Sequence, residues 1–168
     1  MEDMLSFPPF YTLQPVKETR DKQLQQWLDL VVSHCRSSAE WEIDNSFSLF
    51  ENAAINRRLS DSGREEVISY LVQKGACERV GDGTKRVYVL WKSIAEWEAC
   101  LLDWAHTTGR RDDVMTVDEL CTSDEFHDED FHGMPASLMK KILRRLEKAK
   151  KVMLFQGSDQ DDQGVKFL

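Results

Sequence analysis

The sequence predicts an α+β fold, mainly α, built as two small domains in tandem, and three observations carry that prediction. Amphipathic stretches with helical spacing alternate with short β-branched or aromatic runs. The order of these stretches repeats once, with a period of about 70–75 residues. Each repeat closes on two short strand-like runs around a polar turn. The period is read from matched positions: Trp27 with Trp97, Leu71 with Leu146, and Cys77 with Val152.

Residues 1–16 stand outside the repeat. Phe7-Pro8-Pro9-Phe10-Tyr11-Thr12-Leu13-Gln14-Pro15 holds three of the four prolines. Proline holds φ near −65° and biases its predecessor towards extended backbone, so the segment is expected to be an extended arm. The arm cannot bury its own aromatics. They must lie on this chain's core or in another protein's pocket.

The first domain is expected over residues 17–92. Thr19 is a candidate N-cap for a helix whose apolar face is Leu24, Trp27, Leu28, Val31, Val32 and Cys35. Trp41-Glu42-Ile43 suggests a short strand, and Phe47 to Leu59 a turn and short helix. Ser60-Asp61-Ser62 offers caps to a helix bearing Val67, Ile68, Leu71 and Val72, stopped near Gly75. Cys77–Val80 and Arg86–Trp91 then flank Gly81-Asp82-Gly83-Thr84, a hairpin signature.

The second domain, residues 93–168, restates the plan after a linker at Lys92-Ser93. Ile94, Trp97, Cys100, Leu101, Trp104 and Ala105 make an amphipathic helix, and Val114–Val117 a short strand. A polar acidic stretch from Asp118 to Asp130 follows. Pro135 opens a helix whose stripe is Leu138, Met139, Ile142, Leu143 and Leu146. Val152–Gln156 and Val165–Leu168 flank the turn Gly157 to Gly164. Helix, strand, helix, helix and hairpin is the order of a winged helix, so the sequence predicts two tandem winged-helix domains.

Composition narrows the function. With 22 basic and 30 acidic side chains the net charge is −8 and the pI near 5.0, the opposite of the basic field of a general nucleic-acid binder. The four cysteines form no CxxC or CxxH pair, so neither zinc nor a disulfide framework is indicated. No run of about 18 apolar residues occurs, and the N-terminus has no signal-like apolar core. A reduced, cytoplasmic, soluble protein is the expectation. P-loop, dinucleotide and nucleophile-elbow motifs are absent from the sequence, so no catalytic residue, metal or cofactor is expected.

Several stretches resemble a known family. Phe7 to Pro15, Thr19-Arg20 leading to Trp27, Leu90-Trp91-Lys92-Ser93 with Glu96-Trp97, Thr116 to Leu120, Phe131-His132-Gly133 and Gly164-Val165-Lys166-Phe167 are similar, in order and spacing, to the arm-subunit family of ESCRT-II, the endosomal sorting complex required for transport. The likeness runs from Phe7 to Leu168. It implies two winged-helix domains and a non-enzymatic adaptor in multivesicular-body sorting, recruited to endosomal membranes through its complex. By resemblance, Phe7, Pro8, Pro9, Phe10 and Tyr11 dock on the two larger ESCRT-II subunits, and the second domain binds an ESCRT-III subunit. Asp118 and Asp130 depart from the pattern, which has an aromatic and a glutamate there.

Two charged segments compete for a role in that second domain. Asp112 to Asp130 holds nine carboxylates, by default a solvated face. Its end, Asp128, Glu129, Asp130 and Phe131, is the candidate ESCRT-III contact, with Phe131 as apolar anchor if it is not a core residue. His127 and His132 are five apart, without the spacing of a helical metal pair. The helix after Pro135 carries Lys140, Lys141, Arg144, Arg145, Lys148, Lys150 and Lys151, in the place where a DNA-binding winged helix reads the groove. A tandem winged-helix nucleic-acid-binding regulator is therefore the alternative. Against it, residues 93–168 have a net charge of −6, the first domain's equivalent helix carries Arg64, Glu65 and Glu66 with no basic face, and the basic helix is expected to face the acidic segment or solvent. No lipid-binding signature is read, so endosomal residence is expected to be indirect. Pro8-Pro9-Phe10-Tyr11 also fits a WW-domain ligand, a weak four-residue pattern.

Overall fold

The chain, seen in a computed structural model that describes residues 2–81, 83–157 and 163–168, divides into two units, Met1–Trp91 and Lys92–Leu168. Each has its own core. Residues 1–16, expected as an arm apart from both domains, fall within the first unit.

The first unit opens with α1 (Glu2–Leu5) and a 3-10 turn at Pro8–Tyr11, then the long helix α2 (Lys17–Ser38). α2 starts two residues before the expected Thr19 cap, and its N-cap Val16 makes no side-chain cap bond. β1 (Glu42–Ile43) follows, then the two-residue strands β2 (Glu51–Asn52) and β3 (Arg57–Arg58), with 3-10 turns at Ser48–Phe50 and Ala53–Ile55. The helix expected between Phe47 and Leu59 is thus replaced by turns and a small antiparallel pair. Asn52 accepts a hydrogen bond from the Ala54 amide and Asn56 sits at φ 52°, so local asparagine geometry outcompetes a helix here. Ser60 accepts from the Gly63 amide and opens α3 (Asp61–Gln73), and β4 (Cys77–Arg79) and β5 (Val87–Val89) close the unit in a sheet of order β1-β5-β4. The predicted hairpin connection includes Asp82, which lies outside the described residues.

The second unit begins with α4 (Ile94–Thr107), capped by Ser93. β6 (Val114–Thr116) leads straight into α5 (Val117–Thr122) and a 3-10 turn at Asp124–Phe126. α6 (Ala136–Lys148), β7 (Val152–Gln156) and β8 (Gln163–Phe167) complete a sheet of order β6-β8-β7. The predicted turn from Gly157 to Gly164 includes 158–162, outside the described residues.

The repeat matches buried equivalents. Trp27 on α2 and Trp97 on α4 are each 0 % exposed, Leu71 and Leu146 are buried on α3 and α6, and Cys77 and Val152 open the two hairpins from the core side. Trp104, like Trp27 expected inside, is also buried. Burial pushes the Cys35, Cys77 and Cys121 thiols up to about 12, the behaviour of packed rather than reactive cysteines.

Candidate functional site

The N-terminal segment is folded onto the first unit, not extended from it. Phe10 and Tyr11 are buried among the core residues, with the Phe10 ring stacked on Trp27 at 4.3 Å and Tyr11 edge-on to it at 5.7 Å. The expectation that the arm stands clear of the core is therefore corrected for these two side chains. The physical reason lies in ψ. Proline's φ suits polyproline II and 3-10 geometry alike, and stacking Phe10 on Trp27 selects the tighter turn. Phe7 keeps the extended backbone that a following proline demands, φ −94° and ψ 105°.

Hydrogen bonds pin the turn. Trp27 Nε1 donates to the Phe10 carbonyl at 3.3 Å, and Gln23 Nε2 donates to the Thr12 carbonyl at 3.2 Å while its Oε1 accepts from the Gln14 amide at 2.8 Å. Tyr11 OH donates to the Leu5 carbonyl at 2.9 Å, and Asn52 Nδ2 donates to the same oxygen at 2.9 Å. Burial pushes the Tyr11 phenol above its usual value, offset in part by Asn52. Sequence reasoning missed Gln23 and Asn52 as clamps. Gln23 lies one turn before Trp27 on the same helix, which is the signal that could have exposed it.

What remains outside is an apolar ridge. Phe7 is 52 % exposed, and Pro8 and Pro9 are exposed beside it. The five predicted contact residues thus divide into three facing water and two holding them in place.

In the second unit, Asp128 and Asp130 are exposed and Glu129 is half-buried, while Phe131 is 0 % exposed. Phe131 packs edge-on to Trp104 at 5.1 Å and near Phe126 at 6.4 Å. Its expected role as a surface anchor is corrected: four aromatic rings, with Phe167 the fourth, meet around Trp104. The loop is held by Gly133 N donating to the Cys121 carbonyl at 2.8 Å and by an ion pair of Lys92 with Asp130 at 3.2 Å. Elsewhere in the acidic segment, Arg110 pairs with Asp113 and Glu125, and Lys166 lies beside Asp112. Of the α6 cations, Arg145 turns to Glu98 of α4, not to that segment. Among the described residues no group of three His, Cys, Asp or Glu side chains could hold a metal ion, and no helix is long and apolar enough to cross a membrane.

Two winged-helix units, one with the exposed Phe7-Pro8-Pro9 turn and the other with an acidic loop, define a tandem winged-helix protein. The chain belongs to the ESCRT-II complex subunit family, whose model matches residues 4–135. It is 36 % identical to Vacuolar protein sorting-associated protein 25 of Arabidopsis thaliana, over 99 % of this chain and 94 % of the relative. It is 33 % identical to Vacuolar protein-sorting-associated protein 25 of Homo sapiens, over 96 % and 93 % respectively. The crystal structure of subunit VPS25 of the endosomal trafficking complex ESCRT-II superposes with a TM-score of 0.88 at 28 % identity, covering 98 % of this chain and 97 % of that one. The crystal structure of the endosomal complex ESCRT-II (VPS22/VPS25/VPS36) gives a TM-score of 0.86 at 29 % identity, covering 98 % and 97 %. The chain is thus a tandem winged-helix ESCRT-II subunit of endosomal sorting, and the nucleic-acid regulator is not favoured.

Proposed function

We propose that this chain is the non-enzymatic arm of its complex: the Phe7-Pro8-Pro9 ridge attaches it to the two larger ESCRT-II subunits, and its second unit links them to an ESCRT-III subunit. In this role it works in the cytoplasm and reaches endosomal membranes through its complex. The observation that carries the reading is Phe7, a large apolar side chain 52 % exposed beside two exposed prolines. An aromatic on a rigid proline turn fills a pocket with little ordering cost. The crystallised relative containing VPS22 and VPS36 supplies the class of partner. Phe10 and Tyr11 serve this attachment from below, by fixing the turn.

The test separates display from support. Phe7→Asp is expected to weaken capture of the two larger subunits by about tenfold or more, with an unchanged thermal midpoint, because Phe7 lies outside the core. Equal capture by mutant and parent would remove the ridge from the interface.

For the ESCRT-III link, the carboxylates of exposed Asp128 and Asp130 and half-buried Glu129 act as an attracting rim for a basic amphipathic helix. With Phe131 buried, the apolar contact of that interface lies on other residues of the unit. Replacing the three acids by Asn, Gln and Asn is expected to slow association several-fold at low salt, with the difference closing at high salt. Rate constants indifferent to both changes would place the contact elsewhere.

A further inference from the structure

The basic helix has a face that neither surface above uses. α6 buries Leu138, Met139, Ile142, Leu143 and Leu146. At 100° per residue, the direction opposite that stripe belongs to Lys141, Arg144 and Lys148, with Lys140 at its margin. The first three are exposed and Lys140 is half-buried. Glu147, about 20° around the helix from Lys140, borders this set and accepts from the Leu154 amide at 2.8 Å, while Arg145 pairs with Glu98. Lys150 and Lys151, both exposed, extend the positive charge past the helix end.

Such a line of cations, about 12 Å from Lys140 to Lys148 at 1.5 Å per residue, fits a planar anionic surface. A DNA duplex fits less well. The chain belongs to a family whose solved relatives are subunits of an endosomal trafficking complex, which acts at membranes and not on a duplex. The domain's acidity does not forbid contact, since charges more than about 8 Å apart are largely screened at physiological salt.

We propose that the outward face of α6 is a peripheral binding surface for an anionic phospholipid bilayer. Clusters of four to eight Lys and Arg on an amphipathic helix read as binding sites for phosphatidylserine-bearing membranes, with the attraction falling off within a Debye length. This goes beyond recruitment through the complex: the chain would itself touch the membrane on which the complex works, and the ridge at Phe7 plays no part.

The experiment is partition of the full chain onto vesicles of phosphatidylcholine, with and without about 30 % phosphatidylserine, at about 0.1 M salt. The parent is expected to bind only the anionic vesicles, and less as salt rises. A variant with Lys140, Lys141, Arg144 and Lys148 each changed to Gln is expected to bind about tenfold or more weakly. A control with Lys17, Lys22, Lys74 and Lys85 changed to Gln carries the same net charge and is expected to bind like the parent. Arg144→Gln alone, the least disruptive change, is expected to lose about fivefold. Absence of parent binding, equal loss in the control, or tighter binding to a DNA duplex at the same salt would each overturn the proposal. Capture of the larger subunits, measured in parallel, is expected to be normal in the α6 variants, so failure here is distinguishable from failure of the arm reading.

Discussion

Trp27→Ala is expected to cost the first unit about 3–5 kcal/mol of unfolding free energy, the usual penalty for removing a fully packed large aromatic. The indole is 0 % exposed and has three aromatic neighbours: Phe10 stacked at 4.3 Å, with Tyr11 and Phe50 edge-on at 5.7 Å. Its Nε1 also satisfies the Phe10 carbonyl. The substitution therefore opens a cavity and removes the platform of the Pro8–Tyr11 turn together. Chemical denaturation should show a lower midpoint, and capture of the larger subunits should fall because Phe7 is no longer held in place. This pairing distinguishes Trp27→Ala from Phe7→Asp, which lowers capture alone. A parent-like denaturation curve would show that the turn does not depend on the indole.

Phe131→Ala is expected to destabilise the second unit by a similar amount, about 3–5 kcal/mol. For a unit of this size that lowers the thermal midpoint by more than about 10 °C. The ring packs edge-on to Trp104, which also meets Phe126 and Phe167, so its loss loosens the three remaining rings of the cluster. Thermal melts and near-ultraviolet circular dichroism read this directly. A stable variant that merely releases an ESCRT-III partner faster would instead return Phe131 to the surface.

These two residues also mark how far sequence reasoning reaches. Trp27 sits on an i, i+3, i+4 stripe and matches Trp97 in the repeat, so its burial follows from helical period alone. Ser60 and the stripe of α6 were legible in the same way, because caps and amphipathic faces are local properties. α5 was equally local but missed. Thr116 accepts from the Glu119 amide, but the Thr-x-x-Glu start straddles the expected strand Val114–Val117 and the polar acidic stretch after it, so neither reading showed a helix there.

Alone, then, the sequence determined the two repeats, the helices α2, α3, α4 and α6, the hairpins, the core-facing tryptophans and the family, since each is written in spacing and residue type within a few turns of chain. Tertiary structure decided what one segment does to another. It set ψ at Pro8 and Pro9, because a stacked ring on Trp27 outweighs an extended backbone. It split Phe7 from Phe10 and Tyr11, which the sequence presents as one motif. It placed Phe131 inside, because an aromatic after three acids reads as surface until Trp104, twenty-seven residues earlier, is brought against it. Contacts between residues distant in sequence leave no local period, and only the folded chain brings those residues together.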